Sequence, residues 1–139
     1  MSPIEFDTKL AVVLRDDLAV WQKPNVTAFL VSGIAATVSD AVGEPYQDAA
    51  GNRYLPMFRQ PVLVFAADAE GIRRAYERAM QRGVEIAIFT GDLFDTSHDA
   101  ANRAAVAAVE PNDLDLVGIA MRADRRVVDR VLDRLRPHP

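Results

Sequence analysis

The stretch Lys9-Leu10-Ala11-Val12-Val13-Leu14-Arg15-Asp16-Asp17-Leu18-Ala19-Val20-Trp21-Gln22-Lys23-Pro24-Asn25-Val26 decides the fold. Leu10–Leu14 is an unbroken apolar run with a charged residue on either side, which predicts a strand covered on both faces. Asn25 is a good N-cap, and Val26, Phe29, Leu30, Ile34 and Val38 then cover most of a helix circumference. A helix buried on more than one side is therefore expected from Asn25 to Val42, with Gly43 as the left-handed residue past its end. A strand, a long helix and a second apolar run at Val62–Ala66 make the pattern of a parallel crossover in a sheet with helices on both faces.

The alternation continues downstream. Pro61 stands at the first position of the second strand, where proline is tolerated. Asp68 caps a helix predicted over Ala69–Arg82, in which Ile72, Ala75, Tyr76, Ala79 and Met80 form one apolar stripe, and Gly83 ends it. Val84–Phe89 reads as a third strand and Thr90–Asp95 as a loop. Thr96 with Asp99 at N3 reads as the capping box of a helix reaching about Val109, with His98 exposed in its first turn. Leu116–Met121 is a fourth strand, and Asp124 opens a last helix whose Val127, Val128, Val131, Leu132 and Leu135 face inward. Arg125, Arg126, Arg130 and Arg134 alternate there with Asp129 and Asp133, which reads as a solvated charged face. Between Gly43 and Pro61 the chain is irregular, with a small hairpin over Tyr46–Tyr54 turning near Gly51-Asn52. The expectation is one α/β domain over residues 1–139, three-layered, with a mixed four-stranded sheet between helices.

Composition narrows the chemistry. The 139 residues are 50% hydrophobic and 26% charged, enough for one ordinary globular core. The absence of cysteine excludes disulfides, thiol catalysis and cysteine-ligated metals, and two histidines exclude a multi-histidine centre. The net charge of −4 gives no footprint for nucleic acid, so none is expected as a partner. No dinucleotide fingerprint and no phosphate-binding P-loop pattern is present, and neither a cofactor nor a metal is expected. Met1–Asp7 carries acidic residues and no apolar leader core. The longest apolar stretch, Val26–Ala36, falls short of the roughly 20 residues that span a bilayer, so a cytoplasmic protein without a membrane partner is expected.

Open α/β sheets bind ligands outside the carboxyl ends of their strands. Two segments qualify. In the first, Lys23 is one of only two lysines among 16 basic residues and stands beside a helix start. With Asn25 and the free N–H groups of that helix end it is suited to an anionic group or an oxyanion, with Trp21 beside it as a binding surface. In the second, Asp92 is a candidate base that activates water, Thr96 a candidate for positioning substrate, and Thr90 a binding residue. A small-molecule ligand is the expected partner. The plain structural alternative makes Asn25 an ordinary N-cap, Lys23 a solvated lysine and Thr96 with Asp99 an ordinary capping box. A divalent cation on Asp92, Asp95 and Asp99 lacks the usual ligand register. Trp21, Phe58 and Phe94 are the aromatic candidates for a homodimer patch.

At Lys9–Leu18 and Gln22–Phe29 the chain resembles the type 2 peptidyl-tRNA hydrolases, which open with a similar strand, an Arg-x-Asp-Leu segment and a lysine-rich stretch leading into a helix. The order of elements is similar over nearly the whole chain. The blocks Trp21-Gln22-Lys23-x-Asn25-Val26-Thr27-Ala28-Phe29 and Phe89-Thr90-x-Asp92-x-Phe94-Asp95-Thr96 look closer still to an uncharacterised bacterial family of that fold. The resemblance implies a hydrolase-like fold and a cleft that gathers Lys23, Asn25, Asp92 and Thr96. In the hydrolases a lysine before the helix is catalytic and a glutamine follows four residues on. An ungapped register puts Asn25 and Phe29 at those positions, whereas a shift of two brings Lys23 near the site. The implied activity is hydrolysis of a small or nucleotide-like anionic substrate rather than efficient peptidyl-tRNA hydrolysis, because the chain is acidic. The alternative is a ligand-binding or dimerising domain without catalysis.

Overall fold

The computed structural model describes residues 6–139; residues 1–5, part of the stretch read as lacking a leader core, lie outside the described residues. The elements are β1 (Thr8–Arg15), α1 (Gln22–Thr37), β2 (Tyr46–Gln47), β3 (Arg53–Tyr54), β4 (Val62–Ala67), α2 (Ala69–Gln81), β5 (Ile86–Thr90), α3 (Asp99–Ala107), β6 (Leu116–Asp124), α4 (Arg125–Val131) and β7 (Arg136–Pro137). The main sheet has the order β5-β6-β1-β4-β7, and β2 with β3 forms a separate hairpin. β1 and β4 are parallel across the α1 crossover, as expected, whereas β6 runs antiparallel to both β1 and β5.

The layers follow from alternation along β1. Leu10, Val12 and Leu14 pack with Val26, Leu30 and Ile34 of α1. Ala11 and Val13 point to the opposite face and pack with Ile72 and Ala75 of α2 and Val128 and Val131 of α4. Each of Leu10–Leu14 is at most 3% exposed, and a fully buried aliphatic side chain of this size contributes about 1.5–3 kcal/mol.

Three expectations about element boundaries are corrected. The sheet has five strands rather than four. Arg134, at φ 71°, reverses the chain after α4, and Arg136 and Pro137 then pair with Ala66 and Phe65 at the open edge of β4. Two residues carry no readable periodicity, and proline is tolerated at an edge. Next, α1 begins at Gln22 and ends at Thr37, so Asn25 lies inside it and Gly43 well beyond it. Pro24 fits the first turn, where its missing N–H is not needed. The Ala19 carbonyl accepts from the N–H groups of Gln22 and Lys23 at 3.0 and 3.3 Å, and Gln22 Oε1 accepts from the Ala19 N–H at 2.8 Å. Gly43 instead donates its N–H to the Met57 carbonyl, which pins the base of the hairpin excursion. Finally, the cap of α3 is His98, whose Nδ1 accepts from the Ala101 N–H at 3.2 Å, not Thr96. The Thr96 hydroxyl is engaged elsewhere, donating to the Leu93 carbonyl and Asn102 Oδ1.

Other readings hold. Asp68 caps α2 by accepting from the Gly71 N–H at 2.7 Å, and Gly83 stops the chain with φ 66°. Asp124 caps α4. The hairpin pairs Tyr46 with Tyr54. Its turn is held by Asp48, whose carboxylate accepts from the Asn52 side chain, the Tyr54 hydroxyl and the N–H groups of Asn52 and Ala50. Those bonds lower the Asp48 pKa to about 2, the Asn52 amide contributing most. No helix among the described residues is long and apolar enough to cross a membrane.

Candidate functional site

β1, β4 and β5 run in one direction, so their carboxyl ends share one edge of the sheet. Two sets of contacts join the segments that leave that edge. The first is ionic. Arg15, the last residue of β1, donates from Nε to Asp17 at 2.7 Å and from NH1 to Asp115 at 2.6 Å and to the Leu116 carbonyl at 3.4 Å. Burial works against its charge, but the bonds to Asp17 and Asp115 outweigh burial and raise its pKa. Gly91, directly after β5, donates its N–H to the Asp115 carbonyl at 2.9 Å, and a Cβ there would collide with the Asp115 carboxylate. Arg15, Asp115 and Gly91 thus lock the turn after β1, the start of β6 and the exit of β5 together. Sequence reasoning passed over all three residues. The available signal was a charged residue placed directly at the end of an all-apolar strand.

The second set is aromatic. The Trp21 ring meets Phe94 edge-on with centroids 6.0 Å apart, Phe94 meets Phe89 at 5.1 Å, and Phe89 meets Phe29 at 5.8 Å. Each such pair adds about 0.5–1.5 kcal/mol beyond its buried area. Trp21 remains 62% exposed, so most of its ring is open to a ligand.

The sequence-predicted site residues divide around this contact. Lys23 is the second residue of α1 and half-buried, and its side-chain ammonium makes no hydrogen bond or ion pair with any described residue. Asp92 is exposed on the 3-10 turn Gly91–Asp95 that replaces the expected loop. Lys23 and Asp92 each stand two positions along the chain from one ring of the Trp21–Phe94 contact. Asn25 sits half-buried within α1, Thr90 is 2% exposed at the end of β5, and the Thr96 hydroxyl ties the 3-10 turn to α3. The start of α1 does not present the expected set of free N–H groups. Those of Gln22 and Lys23 bond the Ala19 carbonyl and Pro24 has none, so the positive group here is the Lys23 ammonium. Of the three aromatics considered for a dimer patch, Phe58 and Phe94 are half-buried against the core on the α1 side. Among the described residues no three His, Asp or Glu side chains gather as a metal site.

The family model described as "Protein of unknown function (DUF2000)" matches residues 8–139, from the first residue of β1 to the chain end. The chain belongs to the DUF2000 family. A solved structure, that of the protein of unknown function Atu0240 from Agrobacterium tumefaciens strain C58, is similar to this DUF2000 chain at 47% identity and a TM-score of 0.94. The match covers 97% of this chain and 100% of that one. No curated protein matches the sequence. A groove of about 840 Å³ in the DUF2000 chain lies away from Trp21, between the ends of α1 and α2.

Proposed function

We propose that the Trp21–Phe94 edge binds a small, nucleotide-like anionic compound, and that its chemistry is hydrolysis. The 6.0 Å contact between the two rings carries this reading, because it joins the two segments at the carboxyl edge where open sheets bind ligands. The open Trp21 ring offers a stacking surface for a flat base. The Lys23 ammonium, without a partner among the described residues, meets the negative charge. Asp92 accepts a proton from the water that attacks the scissile ester. Thr96 acts by positioning, since its hydroxyl fixes the turn that carries Asp92. The resemblance of Lys9–Leu18 and Gln22–Phe29, and of the order of elements, to type 2 peptidyl-tRNA hydrolases supports the same assignment and a fold similar to theirs.

Peptidyl-tRNA itself is a poor fit. Phosphate-dominated binding needs clustered positive charge, whereas Arg15 at this edge is neutralised by Asp17 and Asp115 and the chain carries −4. Binding without catalysis is the second reading, favoured by Asn25 and Phe29 standing in the ungapped register where the hydrolases carry lysine and glutamine.

The test is hydrolysis of a panel of nucleoside phosphate esters, with peptidyl-tRNA alongside. Turnover of an ester that Asp92→Asn lowers roughly 100-fold, with binding kept, supports catalysis. Saturable binding with no turnover selects the second reading. Neither binding nor turnover removes the site, and efficient peptidyl-tRNA turnover reverses the substrate assignment.

A further inference from the structure

We infer that the groove at the opposite edge of the sheet binds a small organic carboxylate with an apolar body, its charge held by Arg122. β5 begins at Ile86, opposite Met121, while β6 runs on to Asp124. Past the start of β5 the sheet is uncovered on that side, which leaves a groove of about 840 Å³ between the C-terminal ends of α1 and α2. That volume falls in the range of roughly 300–1,000 Å³ typical of ligand sites. Ile34, Val38, Val84 and Val127 give it apolar walls.

Arg122 lines the groove with its side chain only 14% exposed. Its orientation is fixed from behind by neutral groups. Nε donates to Gln60 Oε1 at 2.8 Å; Gln60, 7% exposed, donates from Nε2 to the Thr8 carbonyl at 3.1 Å and accepts from the Thr8 hydroxyl at 3.3 Å. The nearest carboxylate, Asp40, stands 3.7 Å from NH1 and is 72% exposed, a separation beyond hydrogen-bond range and a pair of the weak surface kind. A guanidinium has five N–H donors, and the four on the terminal nitrogens of Arg122 make no hydrogen bond with any described residue. A buried amide thus holds a largely desolvated cation in one pose, with its fork unfilled by any described residue.

The fork matches a carboxylate through two parallel hydrogen bonds. Asp40 and Glu85 line the groove against Arg122 and Arg82, so the lining holds no surplus positive charge for a dianion, and a planar carboxylate matches the fork better than phosphate. The apolar walls call for an apolar body behind the charge.

Octanoate, octanol and inorganic phosphate added to the isotope-labelled full chain test this by NMR. Octanoate is expected to give saturable shifts at Ile34, Val38, Val84 and Val127, with Trp21 unmoved; octanol and phosphate are expected to give none. Arg122→Met should weaken octanoate roughly tenfold or more, the loss of a charge-assisted bond, and Asp40→Asn should tighten it. If Arg122→Met does not fold, Arg122→Lys, which keeps the charge without the fork, should weaken octanoate in the same sense. No saturable shift with octanoate, equal affinity for octanol or phosphate, or unchanged affinity in the Arg122 variant would each overturn the assignment.

Discussion

Arg15 and Arg122 sit on neighbouring strands, at opposite edges of one sheet, and are buried to a similar degree, at 19% and 14% side-chain exposure. Their partners differ in kind. Arg15 meets two carboxylates at 2.7 and 2.6 Å, while Arg122 meets a neutral amide at 2.8 Å and its nearest carboxylate only at 3.7 Å. A buried arginine neutralised from within acts as a clamp between chain segments. One oriented by a neutral partner keeps its charge for something that arrives from outside. On the segment that follows Arg15, Trp21 is exposed and the Lys23 ammonium has no partner among the described residues. Beside Arg122 lies the groove.

Stability measurements can break this contrast. Gly91→Val should have the largest effect, about 1–3 kcal/mol in chemical denaturation, because its side chain meets the Asp115 carboxylate of the clamp. Arg15→Met should cost about 1–2 kcal/mol, moderated because Asp17 and Asp115 are more than half exposed and rehydrate when their partner is lost. Arg122→Met should cost less than about 1 kcal/mol, since Gln60 keeps its bonds to Thr8. If Arg122→Met proves the more destabilising of the two, Arg122 is the structural arginine and the contrast fails.

Asp48 offers a carboxylate saturated by neutral donors, the mirror image of Arg122. Its pKa is lowered from 3.8 to about 2, so the hairpin's anchor is complete above pH 3.8 and is lost as pH falls through 2. The Tyr54 pKa is raised by the same hydrogen bond, so the bond is also lost on the alkaline side as that hydroxyl ionises. NMR titration of the Asp48 carboxyl should give a midpoint near 2; a value near 3.8 would mean that the turn is not held as described. Asp40→Asn should be the mildest change, within about 0.5 kcal/mol, as expected of an exposed residue in a long pair.

Much of this molecule is legible in its sequence because much of it is local. The inner strands show as unbroken apolar runs, and α2 shows through its stripe, its Asp68 cap and its Gly83 stop. The start of α1 is hard to read because a proline signals nothing wrong in a first turn and its N-cap, Trp21, makes no side-chain cap bond that a capping residue would advertise. β7 escaped notice because its only signal is a chain reversal at Arg134. In the candidate site, Trp21, Lys23 and Asp92 could be named from their places after strands. Arg15 with Asp115 and Arg122 with Gln60 could not, since those partners stand 100 and 62 residues apart and meet only through strand order.

Trp21 is the only tryptophan of the chain, so its fluorescence reports the proposed binding edge alone. Titration with a nucleoside monophosphate should change its emission saturably, and Lys23→Ala should weaken the apparent affinity roughly tenfold. Emission that stays constant throughout the titration, or an affinity that Lys23→Ala leaves unchanged, would contradict the account.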